Sequence, residues 1–269
     1  MTVFDKPYIA MGIVNVTEDS FYDGGRYIDK GAAVERAFRL VEEGADVIDI
    51  GGCSSRPGAK FPPPEEEAAR VVPVISELAK RGLGVPISID TVWSSVAEAA
   101  VGAGAEWIND ISAGRIDPKM PALAARNPQC VIVLMHSRGT PDTMQNAPSY
   151  GNVADEVIKE LSDSIDMFLQ SGVSGDKIIV DPGFGFAKDV NHNIDLLRRL
   201  DKIVDTGYPV LVGLSRKSFI GAITGRNVED RLPGTLAATA IAYRNGAKIF
   251  RVHDVKETVD FLKVLTAAN

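Results

Sequence analysis

Asp90 and Asp181 each close a short apolar run, Ile87-Ser88-Ile89-Asp90 and Ile178-Ile179-Val180-Asp181. A carboxylate in that position is costly to bury unless it is hydrogen-bonded or meets a donor-rich ligand. Asn109 and Asp110 end another run. Acids and amides gathered at one mouth suit a flat heterocycle with a guanidine-like edge, which offers several N–H donors in a plane. Taken singly, each aspartate reads equally well as a helix N-cap or one arm of a loop ion pair, and Thr91 can cap in place of Asp90. A basic cluster follows later: Lys217 in Gly213-Leu-Ser-Arg-Lys-Ser218, then Arg251 and His253. It either holds an anion, aided by N–H donors of a helix starting near Ser218, or pairs with carboxylates such as Asp254.

These residues need a frame that brings them together. Apolar runs end on Asn15, Gly51-Gly52, Asp90, Asn109-Asp110, His136, Asp181, Ser215-Arg216-Lys217 and Arg251-His253. Between the runs lie helical stripes: Val34, Ala37, Phe38 and Val41; Ile158, Leu161, Ile165 and Phe168; Leu196, Leu200, Ile203 and Val204. Alternating β and α units predict a parallel sheet. Eight units fill residues 1–269 as one domain, a single (β/α)8 or TIM barrel, with an open doubly wound sheet as the competing arrangement. In the barrel, the carboxyl ends of all strands open onto one face, and that face carries the chemistry.

The formal charge of −7, without any basic block, argues against a nucleic-acid partner. Cys53 and Cys130 cannot build a disulfide framework and form no CxxC, which points to a reducing compartment. No apolar stretch is long enough to span a membrane, and the N-terminus lacks the apolar core of a secretory signal. A soluble, cytoplasmic protein without a membrane partner is expected. His136, His192 and His253 share no metal-binding spacing, so a zinc site is not indicated. Neither a P-loop nor a G-x-S-x-G elbow occurs.

Several stretches, in order along nearly the whole chain, resemble dihydropteroate synthases. They are Met11-Gly-Ile-Val-Asn-Val-Thr-Glu-Asp-Ser-Phe21, Asp49-Ile-Gly-Gly-Cys-Ser-Ser-Arg-Pro-Gly58, Ser88-Ile-Asp-Thr91 and Ile108-Asn-Asp-Ile111. Met135-His-Ser-Arg-Gly-Thr-Pro141, Asp181-Pro-Gly-Phe-Gly-Phe186, Ser215-Arg-Lys-Ser218 and Arg251-Val-His-Asp254 complete the set. The resemblance implies condensation of 6-hydroxymethyl-7,8-dihydropterin diphosphate with 4-aminobenzoate in folate synthesis. It also implies a magnesium cofactor, a homodimer and competition by sulfonamides. On the same resemblance Asp90, Asn109, Met135, Asp181, Phe186 and Lys217 hold the pterin, and Asp90, Asp181 and Lys217 are catalytic. Arg56, Arg251 and His253 hold the diphosphate, and Asn15 the magnesium. Phe21, Ser55, Arg56, Pro57, Phe186, Lys217 and Ser218 enclose the aminobenzoate. The chain departs from the usual pattern at Glu18 (proline), Cys53 (glutamate), Ser55 (threonine) and Ser137 (methionine). A pterin-binding paralogue with little turnover and a methyl transferase using a reduced folate are the alternatives. Arg251, His253 and the Ser-Arg-Lys segment favour a diphosphate over a methyl donor.

Overall fold

A computed structural model describes residues 3–17, 30–53, 60–140, 143–144 and 149–268. The strands are β1 (Ile9–Asn15), β2 (Val47–Gly51), β3 (Ile87–Asp90), β4 (Trp107–Asp110), β5 (Val131–Met135), β6 (Ile178–Asp181), β7 (Leu211–Val212) and β8 (Ile249–Val252). The helices that alternate with them are α1 (Lys30–Glu42), α2 (Pro64–Arg81), α3 (Ser94–Gly102), α4 (Met120–Arg126), α5 (Val153–Gln170), α6 (Val190–Arg198), α7 (Leu200–Val204), α8 (Ser218–Thr224), α9 (Leu232–Arg244) and α10 (Val255–Ala267). Every strand pair is parallel, in the order β6-β5-β4-β3-β2-β1-β8-β7. Among the described residues a single bridge, Val180 to Val210, joins the two ends of that order into a nearly closed ring. The architecture is thus the (β/α)8 barrel, not the open sheet. The stripe running from Leu196 to Val204 is split at Arg199 into α6 and α7.

Side chains on a strand alternate between faces, so each strand of the barrel has an inward and an outward set. Ala10, Ile48, Ile50, Ile87, Ile89, Ile108, Ile132, Leu134, Ile178, Val180, Phe250 and Val252 face out into the layer shared with the helices. Ile9, Met11, Val47, Trp107, Val131, Val133, Ile179, Leu211 and Ile249 face in and fill the lower barrel as a separate cluster. Phe4 stacks on Trp107, with ring centroids 5.6 Å apart, and packs against that inner cluster.

The same alternation decides which polar residues reach the interior. Continuing inward from Val47, Trp107, Ile179 and Ile249 by two residues gives Asp49, Asn109, Asp181 and Arg251. Ser88 and Asp90 are the inward positions of β3. The barrel interior is therefore apolar below and charged above, toward the carboxyl ends of its strands.

Candidate active site

Arg251 reaches across the barrel from β8. Its Nε donates to Asp49 Oδ2 and its Nη2 to Asp90 Oδ2, both at 2.6 Å. Asn109 Nδ2 donates to the same Asp49 oxygen at 3.2 Å, while Asp49 Oδ1 has no partner. Burial pushes the Asp90 carboxyl up, and the Arg251 guanidinium opposes that shift. Only the guanidinium's remaining donors and the carboxylates' remaining lone pairs are open to a ligand.

Asp181 stands at the end of β6, with Oδ1 accepting the Gly183 N–H at 2.7 Å. Burial raises its pKa to about 6, opposed by that hydrogen bond and by the Lys217 ammonium. Gly183 has φ +70, and a Cβ there would lie 1.9 Å from the His136 carbonyl oxygen, so no side chain fits. Gly185 (φ +79) is crowded likewise: its Cβ would lie 3.0 Å from Lys217 Cδ. These two positions let the turn after Asp181 pass close beneath neighbouring groups.

Lys217 holds its ammonium 4.2 Å from the centroid of the Phe186 ring. Burial lowers its pKa to about 8, against the pull of Asp181. The preceding Arg216 adopts φ +57 and turns away, binding Asp254 at 2.7 and 2.9 Å. Asp254 thus engages Arg216, and Lys217 keeps its place over Phe186. His253 lies just past β8, its Nδ1 3.0 Å from Ser215 Oγ. Burial and Arg251 push it down to about 4, so the imidazole is neutral near pH 7 and has one N–H to donate. Ser218 is exposed at the start of α8.

Met135, buried at the end of β5, packs with Met144, Phe186, Ala187 and Ile111 into a small apolar wall. A cavity of about 400 Å³ opens beside it, lined among others by Phe61, Ile111, Arg115, Arg138 and Phe186. A narrower pocket carrying Cys53, Glu67, Asp90 and Thr91 shares Phe61 and Ile111 with it. Glu67 is fully buried with neither oxygen in a hydrogen bond of ordinary geometry. Burial lifts its carboxyl to about 7, opposed by the nearby Thr91 hydroxyl and Arg70. The Cys53 thiol is raised to about 12, chiefly by burial, and stays protonated at neutral pH.

The structure thus gathers Asp90, Asn109, Asp181, Lys217 and Arg251 at one mouth, with Met135 and Phe186 on its wall. Asn15 ends β1 opposite Gly51, at the same level. Phe21, Ser55, Arg56 and Pro57, together with Glu18, lie outside the described residues. Asp110, read from sequence as facing the site with Asn109, points the other way. Its carboxylate accepts the N–H groups of Ser112 and Gly114 and the Ser112 hydroxyl, and so caps the following turn. Asp49 was not anticipated, although one signal marks it: a charged residue between Ile48 and Ile50, two places after an inward valine. His136 is wholly buried between Glu160 and Lys188, and His192 closes a capping box with Asp189.

The pterin binding enzyme family matches residues 11–253 of the chain. A dihydropteroate synthase of Synechocystis sp. is 44% identical over 269 residues, covering 99% of this chain and 92% of its own. The structure of Xanthomonas albilineans dihydropteroate synthase with 4-aminobenzoic acid superposes with a TM-score of 0.91 at 45% identity, covering 98% of this chain and 94% of that one. The same enzyme in complex with 7,8-dihydropteroate gives a TM-score of 0.88 at 42% identity, covering 100% and 95%. With full-length likeness in sequence and in fold, and with the acids, amide and cations brought to one mouth, this chain belongs to the dihydropteroate synthase family of pterin-binding enzymes.

Proposed function

We propose that this chain joins 6-hydroxymethyl-7,8-dihydropterin diphosphate to 4-aminobenzoate, producing 7,8-dihydropteroate and pyrophosphate. The observation that carries this reading is the arrangement of Asp90, Asn109, Asp181, Lys217 and Arg251 around the carboxyl-terminal mouth. The donor-rich edge of a pterin meets the Asp181 carboxylate and the Asn109 amide. Arg251, anchored on Asp49 and Asp90, presents its planar guanidinium to the ring system.

The carbon–oxygen bond to the diphosphate breaks, and its electron pair leaves with pyrophosphate. Lys217 and Arg251 counter the charge that builds there, and neutral His253 offers an N–H. The positive charge left on the exocyclic carbon spreads into the electron-rich pterin, favoured by the carboxylates of Asp90 and Asp181. The aminobenzoate nitrogen then forms the new carbon–nitrogen bond and sheds one proton. The Cys53 thiol, raised to about 12, supplies no thiolate, and the route needs no covalent enzyme intermediate.

Magnesium fits this site through Asn15. A Cβ placed on Gly51 would lie 3.8 Å from Asn15 Oδ1 and 3.6 Å from Asp90 Oδ2, so the missing side chain keeps clear the space between the two oxygens. Among the described residues no cluster of three acidic, histidine or cysteine side chains competes for a metal. That sparse oxygen donation suits magnesium, which retains waters and binds through substrate phosphates. When bound, it would neutralise charge on the departing diphosphate.

Phe186, Lys217 and Ser218 form the described part of the aminobenzoate site; Phe21, Ser55, Arg56 and Pro57 complete it in this reading. Sulfonamides compete there with aminobenzoate. We extend the reading to a homodimer acting in the cytoplasm. Among the described residues no helix is long and apolar enough to cross a membrane. The test is a two-substrate assay with and without magnesium. Pyrophosphate is expected only with both substrates and the metal present, and a pure protein that makes no dihydropteroate rejects the proposal.

A further inference from the structure

Lys188, in the loop between β6 and α6, takes no part in the chemistry above and is only 3% exposed. Its Nζ has acceptors at Gly183 O (3.1 Å), Phe186 O (3.1 Å) and His136 Nδ1 (2.9 Å). An ammonium carries three hydrogens, so this set fills it. Because Nδ1 accepts, the imidazole proton sits on Nε2, where Glu160 Oε2 takes it at 3.0 Å. Glu160 is itself held by Arg138 through Nε at 3.0 Å. Asn193 ties the other side of the loop, accepting the Gly185 N–H at 2.7 Å and donating to Lys188 O at 3.1 Å.

The turn at 183–186 is thereby fixed from its inner side by the buried Lys188, His136 and Asn193, with Glu160 and Arg138, which also line the neighbouring cavity, holding the imidazole. On its outer side the same turn carries the Gly183 N–H that orients Asp181 and the Phe186 ring beneath Lys217. Asp90 and Asn109, by contrast, sit in strand ladders and do not depend on it. We propose that Lys188, braced by His136, is a positioning residue for the condensation: it holds Phe186 and Lys217 where the incoming aminobenzoate must meet them. This inference rests on the function proposed above.

The experiment compares the parent enzyme with Lys188→Met, a side chain of similar length without the charge. Both are measured for dihydropterin binding by calorimetry and for steady-state kinetics in aminobenzoate. The variant is expected to lower kcat/KM for aminobenzoate by about tenfold or more and to weaken pterin binding by clearly less, since Asp90 and Asn109 still hold that ligand from their strands while Asp181 is loosened with the turn. A folded variant whose kcat/KM stays within about twofold of the parent overturns the proposal. So does one that loses pterin affinity in equal measure, since the effect is then general loosening. His136→Gln and His136→Leu test the same brace without altering Lys188. The glutamine oxygen can accept the lysine hydrogen and should preserve turnover, whereas leucine should lower it, and equal kinetics in this pair overturn the proposal. A parent protein without activity would instead reject the underlying reaction, and this inference with it.

Discussion

Gly183→Ala isolates how tightly the turn beneath the site is built. The new methyl carbon would stand 1.9 Å from the His136 carbonyl oxygen and 3.1 Å from its carbon. Reaching an ordinary contact of roughly 3.5 Å requires β5 and the turn to part by roughly 1.5 Å. Holding alanine in the left-handed region costs about 1–2 kcal/mol. The displaced N–H also weakens its 2.7 Å bond to Asp181 Oδ1, and a hydrogen bond to a charged group is worth about 1.5–3 kcal/mol. Together these give a destabilisation of about 2.5–5 kcal/mol, or roughly 5–20 °C in melting temperature for a chain of this length. Urea and thermal unfolding measure it, alongside calorimetry with the dihydropterin, whose affinity should fall by about tenfold as Asp181 loses its orienting donor. Gly102→Ala is the control: nothing lies within 4 Å of its added methyl, and it should be neutral or slightly stabilising. A Gly183→Ala protein that melts within about 2 °C of the parent would refute the reasoning.

Dihydropterin affinity should rise with pH up to neutrality. Burial raises Asp181 to about 6, and only the ionised carboxylate accepts the pterin's donors, so below that value affinity falls by about tenfold per pH unit. Affinity that is flat between about pH 5 and 7 contradicts this assignment. Lys217→Met should reduce turnover by about 10²–10³-fold with the fold intact, read as single-turnover rates beside circular dichroism. A variant with parental turnover would remove Lys217 from the chemistry. Asp49→Asn replaces the anionic partner of the Arg251 Nε and should cost about 1.5–3 kcal/mol in urea unfolding. An unchanged midpoint would mean that Asp90 alone suffices to hold the guanidinium.

Much of the barrel is written in the period-two alternation of its strands and in the helical stripes between them. Asp90, Asn109 and Asp181 were legible because polar residues ending apolar runs must emerge where the strands open. The first error was one of phase. Asn109 and Asp110 are adjacent, so one faces in and the other out, and continuing the alternation from Trp107 selects Asn109 alone. Asp49 was hidden by the opposite circumstance, since it lies inside its run and not at the end. For Arg251 the sequence offered an anion-holding role beside His253, but not the contacts of its guanidinium with Asp49 and Asp90, on strands far away in sequence. Lys188 and His136 could not be paired from sequence, because their contact depends on β5 and β6 being neighbours and on a turn that only glycine permits.

The ring of strands is laced by backbone hydrogen bonds almost all the way round, and its one thin join falls between β6 and β7. Asp181 and Lys217 stand on opposite banks of that join. Backbone pairing stops at Val180, one residue short of Asp181, so the spacing of these two charges depends on the turn after β6 and on the Phe186 ring beneath the lysine. The least-bonded seam of the barrel thus falls between the two residues that the proposed reaction must use together.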